Sequence, residues 1–175
     1  RALVTDLHVN VIRPFNISGA RQLPEGGFVL PRFVVAALTG QPLTVFGDGR
    51  QVRAFTDVRD IVSGMRLAMA SDHKSEVFNL GNAANELSIR SLAERVVAHI
   101  GSSAPIHHVD PKELFGPLYE EGFEKVPDAT KANKMLNWFP KLTLEDTIEA
   151  TVQHYRKHPE LMESQDEAKV SLLGR

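Results

Sequence analysis

The sequence predicts an α/β fold. Three observations carry this. Short apolar runs at 8–13 and 76–80 have the composition of strands. Apolar residues at 57–70 and 89–100 recur at helical spacing. The two kinds of element alternate along the chain, in the order strand, polar turn, helix, small β-ribbon, helix, strand, helix, strand, loop, helix, helix. That order is not a self-contained, doubly wound nucleotide-binding half.

Each element has a local reason. Residues 1–6 read as the tail of a helix. His8-Val9-Asn10-Val11-Ile12-Arg13 reads as a strand whose Val9, Val11 and Ile12 suit burial. Pro14 disfavours helix at Arg13. Residues 16–27 form a polar, glycine-containing loop. Residues 28–39 are helical, with Gly40 as the stop. Residues 43–46 and 52–55 read as two strands around Gly47-Asp48-Gly49-Arg50-Gln51, the glycines supplying the turn of a ribbon. In the helix over 57–70, Val58, Ile61, Val62, Met65 and Met69 mark the apolar face. Asp57, with Asp60 three residues on, can cap its open N–H groups. Residues 76–80 are a strand ending at Gly81-Asn82. Ser88 caps a helix that carries Ile89, Leu92, Val96, Val97 and Ile100 on one face and stops at Gly101. Residues 104–109 suit a strand. Residues 110–127 form a long loop with an acidic cluster, a length associated with function or mobility. Asp128 opens a helix over 129–137. Thr143 and Asp146 start another that runs to about Lys157, and a polar tail follows Pro159.

Composition excludes several classes of function. The 175 residues are enough for a hydrophobic core, and 42% hydrophobic with 24% charged residues argues against disorder. A net charge of −2 provides no bulk field for nucleic acid or acidic membranes, so phosphate recognition falls to a few placed cations. With no cysteine there is no disulfide, thiolate catalysis or cysteine-bound zinc, which fits a reducing, cytoplasmic setting. No apolar run approaches the ~18 residues of a membrane span. The chain begins without Met and in mid-pattern, and a truncated protein is expected.

Six motifs follow one another: Arg13-Pro14-Phe15-Asn16-x-x-Gly19; Leu30-Pro31-Arg32-Phe33; Leu43-Thr44-Val45-Phe46-Gly47-Asp48-Gly49; Arg53-Ala54-Phe55-Thr56-Asp57-Val58-Arg59-Asp60; Val77-Phe78-Asn79-Leu80-Gly81; and Val126-Pro127-Asp128-x-x-Lys131-Ala132-x-x-x-Leu136-x-Trp138-x-Pro140. In this order they resemble the C-terminal, substrate-binding portion of an extended short-chain dehydrogenase/reductase of the NAD-dependent nucleotide-sugar epimerase/dehydratase family. The resemblance covers residues 1 to about 157, leaving 158–175 as a tail. It implies a Rossmann-type enzyme whose N-terminal half lies outside these residues, with 1–27 holding the last Rossmann strand region and the substrate loop. The wording around Phe55-Thr56-Asp57 resembles members that act on UDP-sugars, including glucuronate decarboxylases and 4-epimerases.

The resemblance implies roles for five residues. Asn16 would meet the substrate, where a carboxamide can donate to a diphosphate oxygen or accept from a hydroxyl. On residue chemistry alone it is a turn asparagine bonding its own backbone. Arg53 would hold the diphosphate with its planar fork of donors; without the motif it is a surface arginine paired with Asp48 or Asp60. Phe46 would seat the nucleotide base, or else be core. Arg32 would border the base from the helix start, or else sit on a plain amphipathic helix. Lys125 stands where the family often has arginine. It supplies charge without a bidentate fork, or else balances Glu120, Glu121 and Glu124.

The family's catalytic machinery has no match here. Tyr119 and Tyr155 are the only tyrosines, and Phe123 and Pro159 stand four residues after them where the family has lysine. There is also no glycine-rich dinucleotide turn. No catalytic residue is expected, and the seven histidines show no ligand set for zinc. The expected ligand is a UDP- or dTDP-sugar. NAD belongs to the intact enzyme and is not expected to bind this chain tightly. The intact enzyme would oxidise the sugar at C4 and then epimerise, dehydrate or decarboxylate it; the chain alone is expected to be inactive. Bare strand edges lead us to expect a homo-oligomer or association with the missing portion. The alternative is a non-catalytic module that binds a UDP-sugar or pairs with a separate Rossmann chain.

Overall fold

The computed structural model describes residues 9–163 other than 119 and 121. The expected helix tail at 1–6, the start of the first strand at His8, Tyr119 and most of the tail lie outside the described residues. In chain order the elements are β1 (Val11–Pro14), β2 (Ile17–Ser18), α1 (Val29–Thr39), β3 (Leu43–Phe46), β4 (Val52–Ala54), β5 (Thr56–Asp57), α2 (Val58–Ala70), β6 (Val77–Leu80), β7 (Glu86–Ser88), α3 (Ile89–Ile100), β8 (Ile106–Val109), α4 (Pro111–Phe115), β9 (Glu124–Lys125), α5 (Thr130–Leu136), α6 (Leu144–Lys157) and α7 (Glu160–Glu163). The mixed α/β class agrees with the sequence expectation.

The chain divides into two compact units. Among the described residues, the first comprises 9–18, 52–86 and 124–144. In it β1 pairs in parallel with β6, β2 with β5, and β4 with β9. Its core gathers Ile61, Ala68, Phe78, Leu80, Ala132, Leu136 and Trp138. Gly64 is required there, because a Cβ would meet Leu80 Cδ1 at 2.6 Å and Trp138 Nε1 at 3.0 Å. Asp57 caps α2 by accepting from Arg59 N at 2.8 Å. Asp60 takes no part in that cap: its Oδ2 accepts from Lys141 N at 3.0 Å and Leu142 N at 2.9 Å.

Two burial expectations fail in this unit. Val9 and Val11 are exposed, because β1 has one neighbouring strand among the described residues. On α2, Ile61 is buried while Val58, Val62, Met65 and Met69 are exposed. The inward face is built from Asp60, Ile61, Gly64 and Ala68, the residues that let β6 and Trp138 approach closely.

The second unit comprises the described residues of 19–51, 87–123 and 145–163. Here β3 pairs in parallel with β8, with Leu43 opposite Ile106 and Phe46 opposite Val109. Helix α1 buries Leu30, Pro31, Phe33, Val34, Val35, Ala36 and Ala37, and Gly40 ends it in the left-handed region at φ 70°. Ser88 Oγ caps α3 by accepting from Ser91 N, and Gly101 closes that helix at φ 71°. Tyr155 is buried on α6 and donates to the Gln22 carbonyl at 2.6 Å.

The expected ribbon does not form. Gly47 and Gly49 do turn the chain, at φ 63° and 73°. The strands they join then pair with β8 and β9 rather than with each other. The stretch at 110–127 is also not structureless: it contains α4, which starts at Pro111 and is capped by Asp110, and strand β9. The loop at 16–27 contains β2 and a 3-10 turn at Pro24–Gly26. After Pro159, Glu160–Glu163 form a helical turn. Among the described residues no helix is long and apolar enough to cross a membrane.

Candidate functional site

In the first unit, three of the five expected site residues come together through the backbone. Arg53 is the middle residue of β4, and the parallel register sets it opposite Lys125 of β9. Asn16 lies between β1 and β2 in the left-handed region at φ 39°, which asparagine tolerates better than most side chains. Its Nδ2 donates to the Ala54 carbonyl at 3.1 Å and to the Lys125 carbonyl at 3.3 Å. Its own carbonyl accepts from Thr56 N at 3.1 Å and Ser18 Oγ at 3.3 Å. One asparagine therefore joins the end of β4, the start of β5 and strand β9. It does more than a turn asparagine that bonds only its own neighbours.

Arg53 is 7% exposed and Nη1 donates to the Val52 carbonyl at 2.7 Å. Asp48 and Asp60 each make other bonds. Asp48 faces Arg50 at 3.4 Å, and Asp60 accepts from the backbone at 141 and 142. Lys125 is exposed on β9, beside Glu124, and Glu121 lies outside the described residues. Gly81 permits this assembly, because a Cβ there would overlap the ring of Pro127, two residues from Lys125, and meet Phe15 Cβ at 3.1 Å.

Sequence reasoning did not find the ion pair beside this cluster. Buried Asp57 takes two bonds from Arg59, Nε to Oδ1 and Nη2 to Oδ2, both 2.8 Å. The i,i+2 spacing at a helix start was the available signal, since the chain turns there and brings the two side chains together.

The remaining two expected residues meet in the second unit. Along β3 the side chains alternate: Leu43 and Val45 are fully buried, Thr44 and Phe46 are half-buried. Phe46 is therefore not a core phenylalanine, because the pleat turns it to the other face. The Arg32 guanidinium carbon lies 5.3 Å from its ring centroid, in cation–π range. Burial pushes Arg32 below its ordinary value, and guanidinium remains charged across the physiological range. The turn after Phe46 is firmly held. Gln51 Nε2 donates to the Phe46 carbonyl at 3.1 Å, and His108 Nδ1 lies 2.8 Å from the Gly47 carbonyl. A Cβ on Gly49 would meet Val45 Cγ1 at 2.7 Å and Arg90 Cβ at 2.9 Å.

Among the described residues no group of three histidines, cysteines or acids could hold a metal ion. The His154 and His158 rings lie against each other at a tilt of 46°, with centroids 4.9 Å apart. Tyr155 spends its hydroxyl on the Gln22 carbonyl.

The chain belongs to the NAD-dependent epimerase/dehydratase family, whose model matches residues 3–81. Among proteins of described function, it is 38% identical over 157 residues to UDP-N-acetyl-alpha-D-glucosaminuronate decarboxylase of Bacillus cytotoxicus, covering 86% of this chain and 47% of that protein. Among solved structures it is similar to UDP-glucose 4-epimerase of Thermotoga maritima with UDP-glucose, at TM-score 0.80 and 30% identity over 89% of this chain and 48% of that one. It is also similar to dTDP-glucose 4,6-dehydratase of Bacillus anthracis in complex with NAD, at TM-score 0.77 and 29% identity over 90% and 48% of the two chains. The chain thus spans about half the length of these relatives.

Proposed function

We propose that this chain supplies nucleotide-diphosphate recognition to an NAD-dependent nucleotide-sugar epimerase, dehydratase or decarboxylase. The observation that carries this reading is the β4–β9 register, which sets Arg53 and Lys125 on adjacent strands. Neighbouring strands lie about 4.8 Å apart, so two cations start from backbone positions that suit a diphosphate. Arginine supplies a fork of donors and lysine a point charge. In the second unit, the half-buried Phe46 ring backed by the Arg32 guanidinium offers a flat surface suited to a base. The relatives that act on UDP-sugars support uracil as that base, and the dTDP-glucose dehydratase supports thymine.

We expect no tight NAD binding by this chain. A dinucleotide fingerprint runs from a strand through a glycine turn into a helix. Here the Gly47–Gly49 turn runs from β3 into strand β4. No chemical step is assigned to the chain, and we expect no turnover from it alone.

Calorimetry with UDP tests the reading. Charge-assisted hydrogen bonds are worth about 1.5–3 kcal/mol. Arg53→Ala should therefore weaken UDP by about ten-fold or more at an unchanged fold. An unchanged affinity refutes the diphosphate role.

A second reading, a module that pairs with a separately made chain, is favoured by the exposed stripe on α2. Val58, Val62, Met65 and Met69 are spaced by four, three and four residues, the spacing of a seam that packs against another helix. Co-purification of a second chain would support this reading.

A further inference from the structure

We propose that Asn16 is a positioning residue, a latch whose carboxamide docks strand β9 against β4 and so brings Lys125 to the phosphate site beside Arg53. The inference rests on the proposed function and gives Asn16 a role other than direct donation to the diphosphate. Both hydrogens of its amide are engaged: one bond goes to Ala54 at the end of the Arg53 strand, the other to Lys125 itself. What the side chain can still offer a ligand is Oδ1, an acceptor, which repels phosphate oxygens.

Strand β9 is held by its ladder with β4 and by Pro127 against Gly81, and the Asn16 amide adds a side-chain bond to these. The strand is two residues long, its side chains are exposed, and its ends adjoin a stretch of glycine, proline and acidic residues. Ordering so short a strand costs backbone entropy that few ladder bonds offset. A side-chain bond from outside the ladder thus weighs heavily in whether β9 stays docked. The backbone angle of Asn16 suits a latch. At φ 39° the chain turns back, and its carbonyl and carboxamide both meet the β4–β5 segment.

The latch predicts a specific coupling. If Asn16 acts through Lys125, its loss should matter only while the Lys125 ammonium is present. Asn16→Gly removes the amide and relaxes the positive φ. Asn16→Asp keeps the shape and sets acceptor oxygens against two carbonyls. We expect both to speed amide hydrogen exchange at residues 124–126 in the ligand-free protein. We also expect Asn16→Gly to weaken UDP by about five-fold in the native background and by less than about two-fold in Lys125→Ala, the non-additivity of coupled residues. Unchanged exchange at 124–126 overturns the latch. Equal losses in both backgrounds overturn it too, while leaving the proposed function standing through Arg53. Failure of the unsubstituted chain to bind UDP overturns both. Global loosening would show in the melting temperature but would not produce the coupling.

Discussion

Asp60 offers the sharpest test of how the first unit is held together. Its side chain is 5% exposed, and one oxygen accepts from the backbone of both Lys141 and Leu142. Its main-chain oxygen takes Trp138 Nε1 at 3.0 Å, shared with Ser63 Oγ at 3.0 Å. Asn82 and Asn85 each donate to the Leu142 carbonyl at 3.1 Å. Asp60 is thus the acceptor half of a clamp that pins residues 138–142 to α2. Asp60→Ala removes two charge-assisted bonds. Lys141 is exposed and water can replace its partner, whereas Leu142 is half-buried. The expected net cost is about 2–3 kcal/mol, below the sum for two such bonds. With an m-value of about 2 kcal/mol/M this lowers the urea midpoint by about 1–1.5 M. Trp138 is the only tryptophan, so its fluorescence reports this unit alone. Its emission should shift to the red in native buffer as 138–142 loosens. Asp60→Asn keeps an oxygen acceptor without the charge and should fall between wild type and alanine. A midpoint change under about 0.2 M, or asparagine as damaging as alanine, would refute the clamp as an electrostatic device.

Other outcomes can be checked in the same way. Gly81→Ala should destabilise the first unit by about 1–3 kcal/mol through overlap with Pro127, read by the same Trp138 melt. Tyr155→Phe leaves the Gln22 carbonyl without its hydroxyl donor and should cost about 1–2 kcal/mol, read by calorimetric melting. His154 is held below the ordinary histidine value, first by burial and then by His158 and Arg21. Its folded state therefore binds the proton less readily than the unfolded chain. This contribution is complete above the unfolded histidine value and is lost as pH falls through that value towards the folded one. His154→Gln should flatten the melting temperature against pH on that acid limb.

Much of the fold was legible because its signals are local. Ser88 and Asp57 cap helices through bonds to residues two or three positions on, and Gly40 and Gly101 end helices by adopting angles that other residues resist. Such features depend on a few neighbours along the chain. Asp60 shows where local reading stops. Its place in the first turn of α2 suggested capping, but its partners lie 81 and 82 residues away. The apolar spacing of α2 misled for a related reason. Period identifies a helix and its stripe, but which stripe turns inward depends on what packs there. Gly64 and Ala68 admit Leu80 and Trp138 more closely than methionines could.

By itself, the sequence determined the α/β class, the helix ends, the glycine turn at 47–49 and the residue types suited to a diphosphate and a base. Only the tertiary structure decided how they are used. It replaced the ribbon with two parallel pairings, set Arg53 opposite Lys125, and spent the Asn16 amide on two backbone carbonyls. The physical reason is range. Caps and turns are settled by dihedral preferences and bonds over a few residues. Parallel pairing joins strands far apart in the chain, and β4 and β9 are separated by about seventy residues whose packing no local pattern encodes.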